Sequence, residues 1–123
     1  LEGDQAARRS LRSARLLATS ALTFAEAKRG VLRARLDHRL TAQQERSALC
    51  ALSQFRHRCF VMAVTEDVLS GGGRPFPVEP VRTLDAIHLV SADLLADEPQ
   101  LLTVVTRDAR VRANAAANGH AVE

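Results

Sequence analysis

Short apolar runs of strand length set the limits on what this chain can fold into. They are Leu16–Ala18, Phe60–Val64 and Leu101–Val105, and none is long enough to cross a bilayer. The segments between them carry the apolar spacing of amphipathic helices. Because strands that alternate with helices favour a parallel sheet covered on both faces, we predict an α/β fold. It is a three-layer α/β/α sandwich with a mostly parallel sheet, formed by residues 1–123 as one domain.

Helix start and stop signals divide the rest of the chain. Threonines stand where N-caps are favoured, at Thr41, Thr65 and Thr83, and Gly119 stands where a helix end is favoured. The predicted helices are Gln5–Arg15, Ala21–His38, Ala42–Arg58, Glu66–Ser70, Thr83–Leu95 and Asp108–Asn118. Three glycines and three of the four prolines fall in Gly71–Pro80, which predicts a flexible loop. No Lys-Ser/Thr pair follows those glycines, so this loop is not a phosphate-binding loop.

The charge composition indicates a polyanion or an acidic protein as a partner. The formal net charge is +3, and sixteen of the seventeen basic residues are arginine, with Lys28 the only lysine. Arginine binds phosphates and carboxylates through a planar pair of donors, although a compositional bias toward Arg and Ala explains the same excess. Arg107 and Arg110, which flank Asp108, either hold phosphates or are solvated. With four Phe, no Trp and no Tyr, the sequence argues against a base-stacking platform.

The cysteines and the N-terminal segment favour a cytoplasmic protein. The polar, arginine-bearing N-terminal segment gives no sign of a secretory signal, and no run is apolar enough for a membrane. Cys50 and Cys59 have no His or Cys neighbours at zinc-binding spacing. We therefore expect two reduced thiols and no disulfide.

Three carboxylates stand near predicted helix starts. Glu26 lies in the second turn of its helix, Asp85 opens another, and Asp108 closely follows the last apolar run. Because helices that follow parallel strands begin at one edge of a sheet, we expect the three acids to meet there around Mg²⁺ or Mn²⁺. Each acid also has a simpler interpretation. Glu26 fits a solvated helix residue, Asp85 a carboxylate favoured by the helix dipole, and Asp108 an N-cap.

Three segments resemble the PIN-domain family, and most closely the VapC-type toxins of bacterial type II toxin–antitoxin modules. They are Thr19–Ala27 (TSALTFAEA), Leu84–Ala92 (LDAIHLVSA) and Val104–Asp108 (VVTRD). The resemblance implies a parallel α/β/α sandwich and Mg²⁺- or Mn²⁺-dependent endonucleolytic cleavage of RNA. It matches Glu26, Asp85 and Asp108 to three of the family's four acidic metal-site positions. It also matches Thr106 to the hydroxyl residue that accompanies the last acid.

The sequence departs from that family at its start. The family opens with a buried strand whose final aspartate is the first acid of the site, whereas this sequence begins Leu1-Glu2-Gly3-Asp4, and Asp4 does not match that position. We therefore expect a single PIN-like domain that lacks its first strand and acts as a toxin ribonuclease. The resemblance implies an RNA substrate, a cognate antitoxin bound near residues 21–58, and a homodimer. The alternative is a catalytically impaired PIN-like domain that binds RNA or an antitoxin.

Overall fold

The computed structural model describes the backbone of residues 2–123 and the side chains of residues 5–123, and it is 61% helical. The chain forms two compact units: the terminal unit, Leu1–Arg15 with Val64–Glu123, and the hairpin unit, Leu16–Ala63. In chain order the elements are α1 (Glu2–Ser13), β1 (Leu17–Ser20), α2 (Leu22–Leu36), α3 (Ala42–Arg58), β2 (Cys59–Met62), α4 (Glu66–Gly72), α5 (Thr83–Leu95), β3 (Thr103–Val104), α6 (Ala109–Ala117) and β4 (Ala121–Val122). The side chain of Asp4 lies outside the described residues, so the structure does not test the prediction that Asp4 does not match the family's first acid.

The hairpin unit consists of two parallel strands joined through two helices. Leu17 lies opposite Cys59, and Ser20 opposite Met62. Helices α2 and α3 pack against each other. The buried ring of Phe24 lies 6.5 Å from the ring of Phe55, measured between centroids. No residue of α3 is buried, so the packing of α2 against α3 buries few apolar side chains completely.

Helix α3 begins where its sequence predicts. The Thr41 hydroxyl accepts the Gln44 amide at 3.1 Å, and the Gln44 side chain accepts the Thr41 amide at 2.8 Å. This reciprocal capping box satisfies two amides that have no partner inside the helix. Thr65 caps α4 in the simpler way, by accepting the Val68 amide at 3.4 Å. Both predicted N-caps are therefore confirmed.

In the terminal unit, α4 packs on α5, α5 packs on α6, and α6 packs beside a second parallel strand pair. Thr103 of β3 lies opposite Ala121 of β4. Leu89, Val111 and Ala115 form the buried cluster that joins α5 to α6, and Phe76, Val81, Val104 and Val122 pack around it. The Ser10 hydroxyl of α1 donates to the Glu123 carboxylate beyond β4. Apolar residues of α5, α6, β3, β4 and the segment before α5 thus meet in one cluster.

The predicted three-layer α/β/α sandwich is wrong. Within the described residues the strands form two separate two-stranded sheets, β1–β2 and β3–β4, with no common central sheet. The strands do pair in parallel, but they have only four and two residues, too few for a broad sheet with helices on both faces. Pro99 starts a 3₁₀ turn that takes up Leu101, so the predicted strand Leu101–Val105 shortens to Thr103–Val104.

Helix α5 begins differently from the prediction. Arg82 occupies the N-cap position and Thr83 is the first helical residue, and no side chain caps this helix. The predicted Thr83 cap is therefore wrong. The Gly119 prediction is confirmed, because this glycine follows α6 with a φ of 93°, in the left-handed region. No helix among the described residues is long and apolar enough to cross a membrane.

Candidate functional site

Asp108 is the N-cap of α6. One carboxylate oxygen, Oδ1, accepts the Arg110 amide at 2.8 Å and the Val111 amide at 2.9 Å. The Asp108 amide donates in turn to the Thr106 hydroxyl at 3.1 Å, which fixes the turn between β3 and α6. The second oxygen, Oδ2, accepts no hydrogen bond from the described residues. The N-cap interpretation is confirmed, and one carboxylate oxygen stays open to a ligand.

Asp85 lies in the first turn of α5 and is half-buried. Its carboxylate makes no hydrogen bond or ion pair with the described residues. The exposed amides of a helix start favour a negative charge at this position. Asp85 therefore combines partial burial with unused oxygen ligands.

Helices α5 and α6 bring Asp85 and Asp108 to the same end of the terminal unit. Leu89, midway along α5, packs with Val111 and Ala115 of α6. At the other end of α6, the Asn118 amide group donates to the Asp93 carboxylate at 3.1 Å. Because later residues of one helix contact later residues of the other, the two helices run in the same direction. Their first turns, which carry the two aspartates, therefore share one end of the unit.

Glu26, the third predicted site residue, belongs to the hairpin unit. It is half-buried in the second turn of α2, one turn after Thr23, whose hydroxyl bonds the Thr19 hydroxyl at 2.7 Å. Among the described residues, no three His, Cys, Asp or Glu side chains form a group that could hold a metal ion. The metal prediction therefore stays a proposal.

A side-chain clamp that was not predicted from the sequence holds the segment before α5. Asn114 is fully buried in α6, and its carboxamide accepts the Val78 amide at 2.9 Å and donates to the Val78 carbonyl at 2.8 Å. The Glu79 carboxylate accepts the amides of Phe76 and Val81 at 2.8 and 2.9 Å. The later part of the predicted flexible loop is thus fixed by hydrogen bonds. The available signal was Asn114 itself, since asparagine inside a helix commonly bonds to backbone.

His120 forms a second polar contact that sequence patterns did not reveal. Its buried ring lies between the Pro99 carbonyl, 3.0 Å from Nδ1, and the Asp93 carboxylate, 2.6 Å from Nε2. These bonds join the end of α5 to the turn before β3 and to the residue before β4. They serve the fold of the terminal unit, because both ring nitrogens are already occupied.

The remaining candidates fall into exposed and half-buried positions. Arg107 and Arg110 are exposed, and the Arg110 guanidinium donates to the Glu79 carbonyl at 2.6 Å. His88 is half-buried one turn after Asp85. Cys50 and Cys59 are both free thiols. Burial raises the pKa of the Cys59 thiol above its ordinary value, and the neighbouring Arg58 charge partly opposes this rise.

Comparisons with protein-family models, with curated proteins and with solved structures find no match to this chain. The likeness to the PIN-domain family therefore depends on the three sequence segments. What the structure adds is the placement of Asp85 and Asp108 at one end of the terminal unit.

Proposed function

We propose that this protein is a metal-dependent endoribonuclease related to the VapC-type toxins. The observation that carries the proposal is the pair of aspartates at the same end of α5 and α6. The Asp85 carboxylate accepts no hydrogen bond from the described residues, and Oδ2 of Asp108 accepts none from them either. These two aspartates belong to two of the three segments that resemble the family.

The donor set fits a hard divalent cation. Carboxylate oxygens are the ligands that Mg²⁺ and Mn²⁺ prefer, and Asp85 and Asp108 of the terminal unit offer them. The two amides on Oδ1 fix the rotamer of Asp108, and Thr106 fixes the turn that leads to it. When bound, the ion would activate a water molecule and stabilise charge on the phosphodiester.

The proposed partners are RNA as substrate, a cognate antitoxin and a second copy of the chain, in the cytoplasm. An apolar groove of about 490 Å³ supports the antitoxin. It is lined by Lys28, Val31, Leu32, Glu45 and Leu49 of α2 and α3. Leu32 is 40% exposed and Leu49 39% exposed, so the groove offers apolar surface to a bound segment. The homodimer is proposed from the family resemblance alone.

The deciding experiment is cleavage of single-stranded RNA by the purified chain with Mn²⁺ or Mg²⁺. We expect Asp85→Asn and Asp108→Asn each to slow cleavage by roughly 100-fold or more, the scale on which groups that stabilise developing charge act. EDTA should abolish cleavage. Asp97→Asn, which neutralises an exposed carboxylate after α5, is the matched control and should retain activity.

Two outcomes contradict the proposal. One is equal cleavage by the wild type and both variants, which would trace the activity to a contaminant. The other is no cleavage by the folded wild type with metal present. RNA binding without cleavage would then favour the alternative, a binding module.

A further inference from the structure

Charge is divided unevenly between the two units. The hairpin unit contains eight Lys and Arg residues and three Asp and Glu residues, a net charge of +5. The terminal unit contains nine basic and eleven acidic residues, a net charge of −2. All eight basic residues of the hairpin unit lie between Leu22 and Arg58, the segment of α2, its connection and α3, which we call the basic hairpin.

The positive charges of the basic hairpin are open to a ligand. Seven of its eight basic side chains are exposed, and Arg35 is half-buried. Arg39 pairs with Asp37 at 3.5 Å, and Arg56 lies 4.7 Å above the Phe24 ring. The other six, Lys28, Arg29, Arg33, Arg35, Arg46 and Arg58, have no hydrogen bond or ion pair from their side chains to the described residues. Exposed positive charges in this number attract polyanions.

We propose that the basic hairpin binds the phosphate backbone of single-stranded RNA. The choice of RNA as ligand rests on the proposed function. The terminal unit carries Asp85 and Asp108 and is net negative, so the larger share of the attraction to a polyanion falls to the hairpin unit. Arginine side chains bind phosphate through paired donors, and the scarcity of aromatic residues implies contacts to the backbone and not to stacked bases.

An acidic protein segment is the rival ligand for the same charges. It would lie along the apolar groove, whose lining includes Lys28 but none of the arginines. Arg29 and Arg33, one turn apart on the exposed side of α2, and Arg46 on α3 lie outside that lining. Most of the charge therefore stands where an extended polyanion can reach it, which favours RNA.

The test is equilibrium binding of a labelled single-stranded 20-nucleotide RNA to the full chain in EDTA, at several salt concentrations. Each lost phosphate contact lowers the slope of log K against log salt by about 0.7 for single strands. The double variant Arg29→Gln/Arg33→Gln should therefore lower the slope by about 1.4 and weaken binding about 20-fold at 0.1 M salt. The matched control, Arg8→Gln/Arg9→Gln on α1, makes the same change in net charge and should alter affinity less than twofold.

Three results would overturn the proposal. The first is no RNA binding by the wild type. The second is an equal loss in both double variants, which would indicate net charge alone. The third is displacement of the labelled RNA by polyglutamate at a lower charge concentration than unlabelled RNA requires, which would indicate an acidic protein partner. Because EDTA prevents metal-dependent cleavage, a chain that binds through Arg29 and Arg33 without ever cleaving upholds this inference and refutes only the nuclease.

Discussion

Asn114 bonds both backbone polar groups of Val78, accepting the amide at 2.9 Å and donating to the carbonyl at 2.8 Å. A single buried side chain of α6 thereby fixes the segment that leads into α5. That segment ends directly before the helix turn that carries Asp85. The orientation of the candidate site thus depends on a residue outside it.

We predict that Asn114→Ala lowers the free energy of unfolding by about 3 kcal/mol, because it leaves two buried backbone groups without partners. Asn114→Asp should be no milder, since a carboxylate cannot donate to the Val78 carbonyl. Urea denaturation measures both changes. Asn118→Ala, which removes a bond to the partly exposed Asp93, is the comparison and should cost about 1 kcal/mol. Equal losses at the two asparagines would contradict the clamp.

Asp108 allows the capping role to be separated from the proposed metal role. Asparagine caps a helix as well as aspartate does, so Asp108→Asn should change stability by less than about 0.5 kcal/mol, whereas Asp108→Ala should cost about 1 kcal/mol. Both variants should lose RNA cleavage. Thermal unfolding and a cleavage assay on the same preparations distinguish the two roles. Full cleavage activity in Asp108→Asn would mean that Asp108 acts only as the N-cap of α6.

Gly71 marks a close approach between α4 and α5. A Cβ at this position would lie 2.8 Å from a Val90 methyl, and β-branched Val90 cannot easily turn that methyl away. Gly71→Ala should therefore destabilise the protein by about 1 kcal/mol, as overpacking of about 2 kcal/mol exceeds a helix-propensity gain of about 1 kcal/mol. In a Val90→Ala background the same change should become stabilising. Chemical denaturation of the wild type, the two single variants and the double variant tests this.

The control for Gly71 is Gly30 in the middle of α2. An added Cβ there meets nothing within 4 Å. Gly30→Ala should accordingly stabilise the protein by about 0.5 to 1 kcal/mol through helix propensity. A loss of stability at Gly30 would show that propensity does not govern these helices.

The three threonines that precede or open helices should differ in stability cost. Thr41→Ala should lower the free energy of unfolding by about 1 kcal/mol, because the capping box is lost. Thr83→Ala should change it by less than about 0.5 kcal/mol, since Thr83 is already inside α5 and caps nothing. Thr65→Ala should fall between the two. An equal loss in the free energy of unfolding for Thr83→Ala and Thr41→Ala would mean that Thr83 does cap α5.

Cys59 should react with alkylating agents at higher pH in the folded protein than in the unfolded chain. Burial raises the pKa of its thiol, so the reactive thiolate forms later as pH increases. Iodoacetamide rates of a Cys50→Ser variant, measured from pH 7 to 10 with and without guanidinium chloride, give the two profiles. Arg58→Gln should move the folded profile higher still, because the Arg58 charge lowers this pKa.

The helices could be predicted from sequence because their signals are local. Thr41 and Asp108 cap the helices that their positions indicate, and Gly119 ends α6. The prediction that Thr83 caps α5 was wrong because Thr83 lies one residue past the N-cap, where its hydroxyl accepts no backbone amide. Strand positions were also found to within a few residues, since short apolar runs are distinct from the amphipathic helices between them.

The sheet arrangement could not be predicted in the same way. An apolar run such as Leu101–Val105 fixes that a strand forms but not which strand pairs with it, and Pro99 shortened it by starting a turn. At the candidate site, the helix-start positions of Asp85 and Asp108 could be foreseen. The partners of Asn114 and His120 could not, because Val78, Asp93 and Pro99 lie 36, 27 and 21 residues away.

The two parallel strand pairs have consequences for how the chain folds. Thr103 and Ala121 are 18 residues apart, whereas Leu17 and Cys59 are 42 apart. Closing the longer loop costs only about 0.7 kcal/mol more in chain entropy. The order of assembly is therefore decided by what forms inside each loop. One loop contains a single nine-residue helix, and the other must first bring α2 and α3 together. We therefore expect β3–α6–β4 to form first, and the β1–β2 pair to form only once α2 and α3 have packed together.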